Sequence, residues 1–171
     1  MNDNNKVSNK IADDLQPVSM YQMFARMFAH LAKEVVDEFG DKGAEAIKRG
    51  VWNFGVERGK GIAKRAFARG KPNDSDNYLI SYDMDRSDEF ESTDSYYEGY
   101  VEQVFSRCVF ASEFQKMGME QYGILYCEMI DPAIAYGYNP DLKCRHDKHF
   151  FTDNKCTFCF KLEKEKGAAD E

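Results

Sequence analysis

The stretch that decides the fold is residues 142–162, LKCRHDKHFFTDNKCTFCFKL. Apolar or aromatic side chains alternate with polar ones in both halves of this stretch, and the polar residues 152–155 separate the halves. Such alternation is typical of half-buried strands, and the polar residues between them predict a turn, so the stretch is predicted to be a β-hairpin. The alternating positions are Leu142, Cys144, His146 and Phe150 in the first arm and Cys156, Phe158, Phe160 and Leu162 in the second.

The N-terminal part of the chain has a helical period instead. Apolar residues recur every three or four positions from Ser19 and stop at Gly40, which predicts a helix with a buried stripe. A second helix is predicted from about Lys42 through Arg69, ended by residues 70–72, Gly-Lys-Pro. The stripe of the first helix comprises Met20, Met23, Phe24, Met27, Phe28, Leu31, Val35 and Val36. The glycines within the second helix are interpreted as positions of close helix packing, ahead of ligand approach: Gly55, Gly59 and Gly61.

Past residue 77 the pattern becomes aromatic and partly alternating. Residues 78–82 and 96–105 are therefore predicted to be strands, and a short helix is predicted around residues 112–117. Asp131 followed by proline predicts an N-cap and a helix of one or two turns that ends at Gly137. The predicted fold class is α+β, with N-terminal helices packed on an antiparallel sheet that includes the C-terminal hairpin.

Composition limits the domain count and the partners. The chain has 171 residues, 43% of them hydrophobic, which suits one domain over residues 16–162, with a disordered tail at 1–15 and a charged tail at 163–171. The net charge of −7 argues against nucleic acid or an anionic membrane surface as a partner. Because the sequence lacks a membrane-spanning apolar run and a signal-peptide core, we expect a cytoplasmic protein; the number of subunits, homo-oligomer included, stays open.

The five cysteines raise the question of chemistry at sulfur. An odd number in a chain of this size argues against a disulfide framework. Cys156 and Cys159 have the spacing of half a zinc site, with Cys144, His146 and His149 as candidate further ligands. Successive side chains of a strand point to opposite faces, however, so these two thiols diverge. We therefore predict no metal site and no cofactor.

Cys127 and Asp131 are the most suggestive reactive pair. A thiol and a carboxylate near one another suit addition to an electrophilic carbon, because one group attacks or holds a water and the other moves the proton. If residues 127–131 are extended, the two side chains share a face but stand ~13 Å apart, with room for a substrate between them. The alternative is a buried Cys127 and an Asp131 that only caps its helix. His146 is either a proton donor or a buried histidine with its hydrogen bonds satisfied.

Four motifs occur in order along the C-terminal half: residues 107–114, RCVFASEF; Tyr126-Cys127 with Asp131; residues 137–140, GYNP; and Cys156 with the alternating aromatics after it. Together with residues 43–59 they resemble the L-2-amino-thiazoline-4-carboxylic acid hydrolase family over most of residues 20–162. The resemblance implies a small α+β hydrolase that adds water to a cyclic 2-amino-thiazoline and releases an N-carbamoyl amino thiol.

The resemblance also implies which residues form the site. The family's motif residues fall on Cys108, Cys127, Asp131, Asn139 and Cys156. Ring opening further requires a proton donor, for which His146 and Tyr126 are candidates, and a cation for the substrate carboxylate. For that cation we place Arg107 first, ahead of Arg145 and Arg58.

The predicted function is thus hydrolysis of a small cyclic amidine. The predicted catalytic residues are Cys127, Asp131 and His146, and the predicted substrate-binding residues are Arg107, Cys108, Tyr126, Asn139 and Cys156. The partner is a small-molecule substrate. The competing hypothesis is a non-catalytic small-molecule or metal sensor, in which cysteines of the C-terminal half hold a metal.

Overall fold

Two long helices form the N-terminal half of the structure. The computed structural model describes residues 16–84 and 87–163. Helix α1 spans Met20–Phe39 and helix α2 spans Asp41–Ala68, as the helical periods predict. Ser19 caps α1 through a capping box, because its side chain accepts from the N–H of Gln22 while the Gln22 side chain accepts from the N–H of Ser19. Gly40, with φ 57°, separates the two helices.

A four-stranded antiparallel sheet in the order β1-β2-β4-β3 packs against helices, so the predicted α+β class is confirmed. The strands are β1 Phe90–Tyr97, β2 Tyr100–Cys108, β3 Leu142–Lys148 and β4 Cys156–Leu162. Five shorter helices connect the long helices and the strands: α3 Ser75–Tyr78, α4 Val109–Met117, α5 Glu120–Cys127, α6 Ile130–Tyr138 and α7 Phe150–Asp153.

The predicted C-terminal hairpin is present as β3 and β4. Its register pairs Cys144 with Phe160 and His146 with Phe158, so the two alternating patterns share one face as predicted. The connection differs from the simple turn that was predicted. Phe150 lies in α7 rather than in the strand, and the left-handed residue is Asn154, at φ 55°.

Two strand predictions in the middle of the chain are wrong. Residues 78–82 form the end of α3 and a 3-10 turn over Leu79–Ser81, started by Asp74, whose side chain accepts from the N–H of Asn77. Residues 96–105 are not one strand. The chain reverses at Glu98 and Gly99, whose φ of 82° suits a tight hairpin turn, and Tyr97 pairs with Tyr100.

Helix α6 also differs from its prediction. It begins at Ile130 with Met129 as the N-cap, so Asp131 lies inside the first turn and is not the cap. The helix continues through Gly137 to Tyr138. Because α5 ends at Cys127, residues 127–131 join two helices and are not extended. The predicted tails, residues 1–15 and 164–171, lie outside the described residues, whereas Glu163 donates its N–H to the carbonyl of Asp141.

The stripe predicted on α1 is buried only in part. Phe24 and Phe28 pack against the core, but the fully buried positions are alanines, and four of the predicted apolar side chains are exposed. The buried alanines are Ala25, Ala29 and Ala32, and the exposed residues are Met20, Met23, Met27 and Leu31. Within the described ranges, no helix combines the length and the apolar character needed to cross a bilayer.

Helices α2 and α6 touch through their backbones, and glycines make that contact possible. A Cβ on Gly59 would lie 2.1 Å from the carbonyl oxygen of Ile134, and one on Gly137 would lie 2.3 Å from the carbonyl oxygen of Val56. At Gly55 it would lie 2.5 Å from the Cβ of Ala133. Close packing is therefore confirmed for Gly55 and Gly59, whereas a Cβ on Gly61 would meet nothing within 4 Å.

Substitution by alanine should therefore affect stability differently at Gly59 and at Gly61. Gly59→Ala should lower the free energy of unfolding by about 2–4 kcal/mol, because the methyl group forces α2 and α6 apart. Gly61→Ala is the matched control, and it should raise that free energy by about 0.5–1 kcal/mol through helix propensity alone. Urea denaturation measures both, and equal effects of the two substitutions would contradict the packing described.

Candidate active site

A cavity of about 750 Å³ lies between helices α2 and α6, the β1–β2 hairpin and the start of β4. This volume is ample for a small heterocycle. Six of the eight predicted site residues line the cavity: Cys108, Tyr126, Cys127, Asp131, His146 and Cys156. Cys127 and Asp131 are therefore both among the residues that line this cavity, although residues 127–131 are not extended.

Asp131 lines the cavity from helix α6, and it is half-buried. The first turn of α6 holds it, and no described residue hydrogen-bonds to its side chain. Burial raises the pKa of Asp131 to about 6, and the positive charge of Arg58 offsets only part of this effect. A carboxyl group with this pKa exchanges its proton near neutral pH, which is what a general acid or base requires.

Arg58 supplies the positive charge of the cavity wall. Its Nε and Nη2 atoms donate to the two carboxylate oxygens of Asp83 at 3.0 and 2.7 Å. Its guanidinium carbon also lies 5.7 Å from the ring centre of Phe54 and 5.4 Å from that of Tyr82. Burial lowers the pKa of Arg58, but the ion pair with Asp83 outweighs it, so the group stays charged.

Arg58 was placed behind Arg107 among the predicted cations, and Arg107 and Arg145 lie elsewhere. Arg107 is not among the lining residues: its side chain is 54% exposed and lies 4.0 Å from the Glu91 carboxylate. Adjacent residues of a strand face opposite sides, so Arg107 and Cys108 cannot both face the cavity. Arg145 is 70% exposed and pairs with Asp147. A sequence signal for Arg58 existed, since it lies beside Gly59 and three residues after Gly55 on the tightly packed helix face.

Three thiols line the cavity from three different elements. Cys108 ends β2 and precedes α4, Cys127 ends α5, and Cys156 begins β4. Burial raises the pKa of Cys108 to about 11 and that of Cys156 to about 12, and it raises the pKa of Cys127 well above its ordinary value. All three groups are therefore protonated thiols at neutral pH in the unliganded protein.

Tyr126 and His146 complete the set of proton-carrying side chains. The Tyr126 ring sits among Phe24, Phe28 and Phe110, with ring centres 5.3–5.7 Å away, and burial raises its pKa, so the phenol is neutral. The His146 ring stacks on Phe158 at 4.2 Å. Burial and the nearby His149 lower the pKa of His146 to about 4, so it is a neutral imidazole at physiological pH.

Asn139 lies outside the cavity and joins two loops. Its Nδ2 donates to the carbonyl oxygen of Asn73 at 2.7 Å, and its Oδ1 accepts from the N–H of Asp141 at 2.9 Å. These contacts hold the end of α6 to the segment before α3. The structure therefore gives Asn139 a framework position rather than a place beside a ligand.

All five cysteines are unpaired thiols. Among residues 16–84 and 87–163, no group of three or more histidine, cysteine, aspartate or glutamate side chains is arranged to hold a metal ion. Cys156 lines the cavity and Cys159 does not, which fits their opposite directions in the strand.

The raised pKa of Asp131 predicts a pH-dependent cost to stability. A carboxyl group whose pKa is higher in the folded state binds more protons there, so stability falls as the pH rises from about 4 to about 7. Asp131→Asn removes this cost and should make the protein about 3 kcal/mol more stable at pH 8 but not at pH 3.5. Urea denaturation at both pH values tests this, and a variant that is less stable at pH 8 would contradict the description.

Comparison with known proteins gives one family and one structural likeness. A family model described as L-2-amino-thiazoline-4-carboxylic acid hydrolase matches residues 20–160. No curated protein matches the chain. A crystal structure of a trafficking protein particle complex subunit 3 from Naegleria fowleri, covalently bound to palmitic acid, is similar with a TM-score of 0.49 and 12% identity. That alignment covers 84% of this chain and 95% of the other.

Proposed function

Because the chain belongs to the L-2-amino-thiazoline-4-carboxylic acid hydrolase family, we propose that it hydrolyses a small cyclic amidine in the cavity described above. The substrate class is a 2-amino-thiazoline or a related five-membered ring. The product is the open-chain N-carbamoyl compound, which carries one more water than the ring. The observation that carries the proposal is Asp131: a carboxyl group without a hydrogen-bond partner among the described residues, with its pKa raised to about 6, facing a cavity lined by thiols.

The opposite charges of Arg58 and Asp131 suit a zwitterionic ring. Arg58 stays positively charged and attracts a carboxylate on the substrate. Asp131 faces the same space and attracts the protonated amidine. The ring is thereby oriented with its electrophilic carbon toward Asp131 and the neighbouring thiols Cys127 and Cys108.

The reaction needs an attack on the amidine carbon and one proton transfer in each direction. A cavity thiol, or a water held by Asp131, attacks that carbon, and the Asp131 carboxylate takes the proton of the attacking group. The carbon–sulfur bond of the ring then breaks, and the leaving thiolate recovers the proton. Tyr126 and His146 are both neutral and can donate hydrogen bonds to the ring nitrogens as charge shifts.

The direct test is incubation of the purified protein with 2-amino-thiazoline-4-carboxylate. Mass spectrometry should detect a product heavier by one water. The rate should rise with pH around an inflection near 6, because Asp131 must be ionised to accept a proton. A rate without this inflection would contradict the role of Asp131, and saturable binding without any product would favour the sensor hypothesis instead.

The matched variants are Asp131→Asn and Glu128→Gln. Each removes one carboxylate, but Glu128 lies outside the cavity and pairs with Lys48 at 3.7 Å. Asp131→Asn should lower kcat by about 100-fold or more, whereas Glu128→Gln should leave it unchanged. Thermal unfolding of both variants checks that the fold is intact. Full activity of Asp131→Asn would contradict the proposed site.

A further inference from the structure

The three cavity thiols lie at different positions relative to helix ends, and this difference distinguishes Cys108 from the other two. Resting on the proposed function, we infer that Cys108, rather than Cys127 or Cys156, is the nucleophile that attacks the ring. Cys108 becomes covalently linked to the amidine carbon during turnover. The assignment depends on helix ends, on the position of Asp131, and on the cavity that all four groups line.

Cys108 occupies the N-cap position of α4, a helix of nine residues. The N-terminal end of a helix presents unpaired N–H groups and a partial positive charge, both of which favour a thiolate. Burial raises the pKa of Cys108, but the backbone N–H groups of Phe110 and Ala111 counteract it. The Cys108 thiol makes no capping hydrogen bond in the unliganded protein, but it is the one cavity thiol placed at the N-terminus of a helix.

Cys127 has the opposite placement. It is the last residue of α5, where the helix presents carbonyl oxygens and a partial negative charge. Burial raises its pKa most, and the neighbouring Cys108 and Cys156 raise it further. A thiolate at this position therefore costs more free energy than one at Cys108.

Cys156 is intermediate between the two. It is the first residue of β4 and lies at no helix N-terminus. The N–H of Phe150 offsets part of the effect of burial on its pKa, which rises to about 12. With one backbone N–H group acting on it instead of two, Cys156 has less support for a thiolate than Cys108.

Asp131 provides the base for Cys108. Its carboxylate raises the pKa of all three cavity thiols, so it can act as a base toward each of them and the helix ends distinguish Cys108. It has no hydrogen-bond partner among the described residues. A carboxylate without a partner in a buried cavity gains from accepting a proton. Among the cavity thiols, Cys108 is the one whose deprotonation by Asp131 creates a nucleophile at the N-terminus of a helix.

One bond to Cys108 forms and breaks in each turnover. The sulfur of Cys108 bonds to the amidine carbon while its proton passes to Asp131. The carbon–sulfur bond of the ring breaks, and the ring sulfur takes the proton from Asp131, so the whole substrate stays on the protein. Water then adds to the same carbon and gives its proton to Asp131. The second proton of that water moves to the former ring nitrogen as the carbonyl forms and the bond to Cys108 breaks. The thiolate takes the proton from Asp131, so the product contains one substrate and one water.

The experiment traps the adduct in the full-length protein. Acid quenching during turnover of 2-amino-thiazoline-4-carboxylate, followed by peptide mapping, should find Cys108 heavier by the whole substrate. Cys108→Ser should remove the adduct and lower kcat by about 1,000-fold or more. Cys127→Ala should retain the adduct on Cys108, and Cys159→Ala, outside the cavity, should retain both adduct and rate. Turnover that persists in Cys108→Ser, or an adduct on another cysteine, would overturn the inference but leave ring hydrolysis standing.

A second measurement does not depend on turnover. Alkylation by 2-chloroacetamidine, an amidine that reacts with thiolates, is followed for each cysteine by peptide mapping. Cys108 should react about tenfold faster than Cys127 or Cys156, and Asp131→Asn should slow Cys108 selectively. Should the thiazoline not be hydrolysed while Cys108 reacts fastest, the proposed reaction fails and the choice of thiol stands. Faster alkylation of Cys127 or Cys156 overturns that choice.

Discussion

The backbone contact between α2 and α6 is the constraint on which the site depends. Gly59 and Gly137 each lack the methyl group that would separate the two helices, and the carbonyl oxygens of Ile134 and Val56 occupy that space. Arg58 lies next to Gly59, and Asp131 lies in the first turn of α6, so the contact brings both residues to the lining of one cavity. Arg58 and Asp131, which are far apart in the sequence, thus interact electrostatically in the folded protein.

The positive charge of Arg58 compensates the desolvation of the Asp131 carboxylate only in part. Arg58 directs two of its nitrogens to Asp83 and therefore offsets only part of the desolvation of Asp131. A buried acid without a full partner is costly to stability, but it is also the group whose proton moves most readily at neutral pH. The desolvated Asp131 carboxyl group lowers the stability of the folded protein at neutral pH, whereas Glu113, away from the cavity, is paired with both Arg26 and Lys116.

The sequence predicted the parts of the fold that repeat a local pattern. The two long helices and the C-terminal hairpin follow from their periods. Cys127 and Asp131 both line the cavity, but they lie at a junction between two helices and not in the extended segment that the sequence suggested. Predictions failed where tertiary context decides. Residues 96–105 have a continuous aromatic pattern, but the chain reverses within them at Gly99. Residues 78–82 form helical turns although their side chains favour strands. Arg107 was placed ahead of Arg58, but only tertiary packing decides which arginine reaches the cavity: Arg58 lines it, and the side chain of Arg107 is 54% exposed.

The central claim is that the Asp131 carboxyl group is held in a desolvated position facing the cavity. The most direct measurement is a pH titration of its carboxyl carbon by ¹³C NMR, assigned by comparison with Asp131→Asn. A midpoint near 6 is the result that the structure predicts, because burial outweighs the nearby guanidinium. A midpoint at or below the ordinary aspartate value of about 3.9 would contradict the claim, since the carboxylate would then be solvated or fully paired.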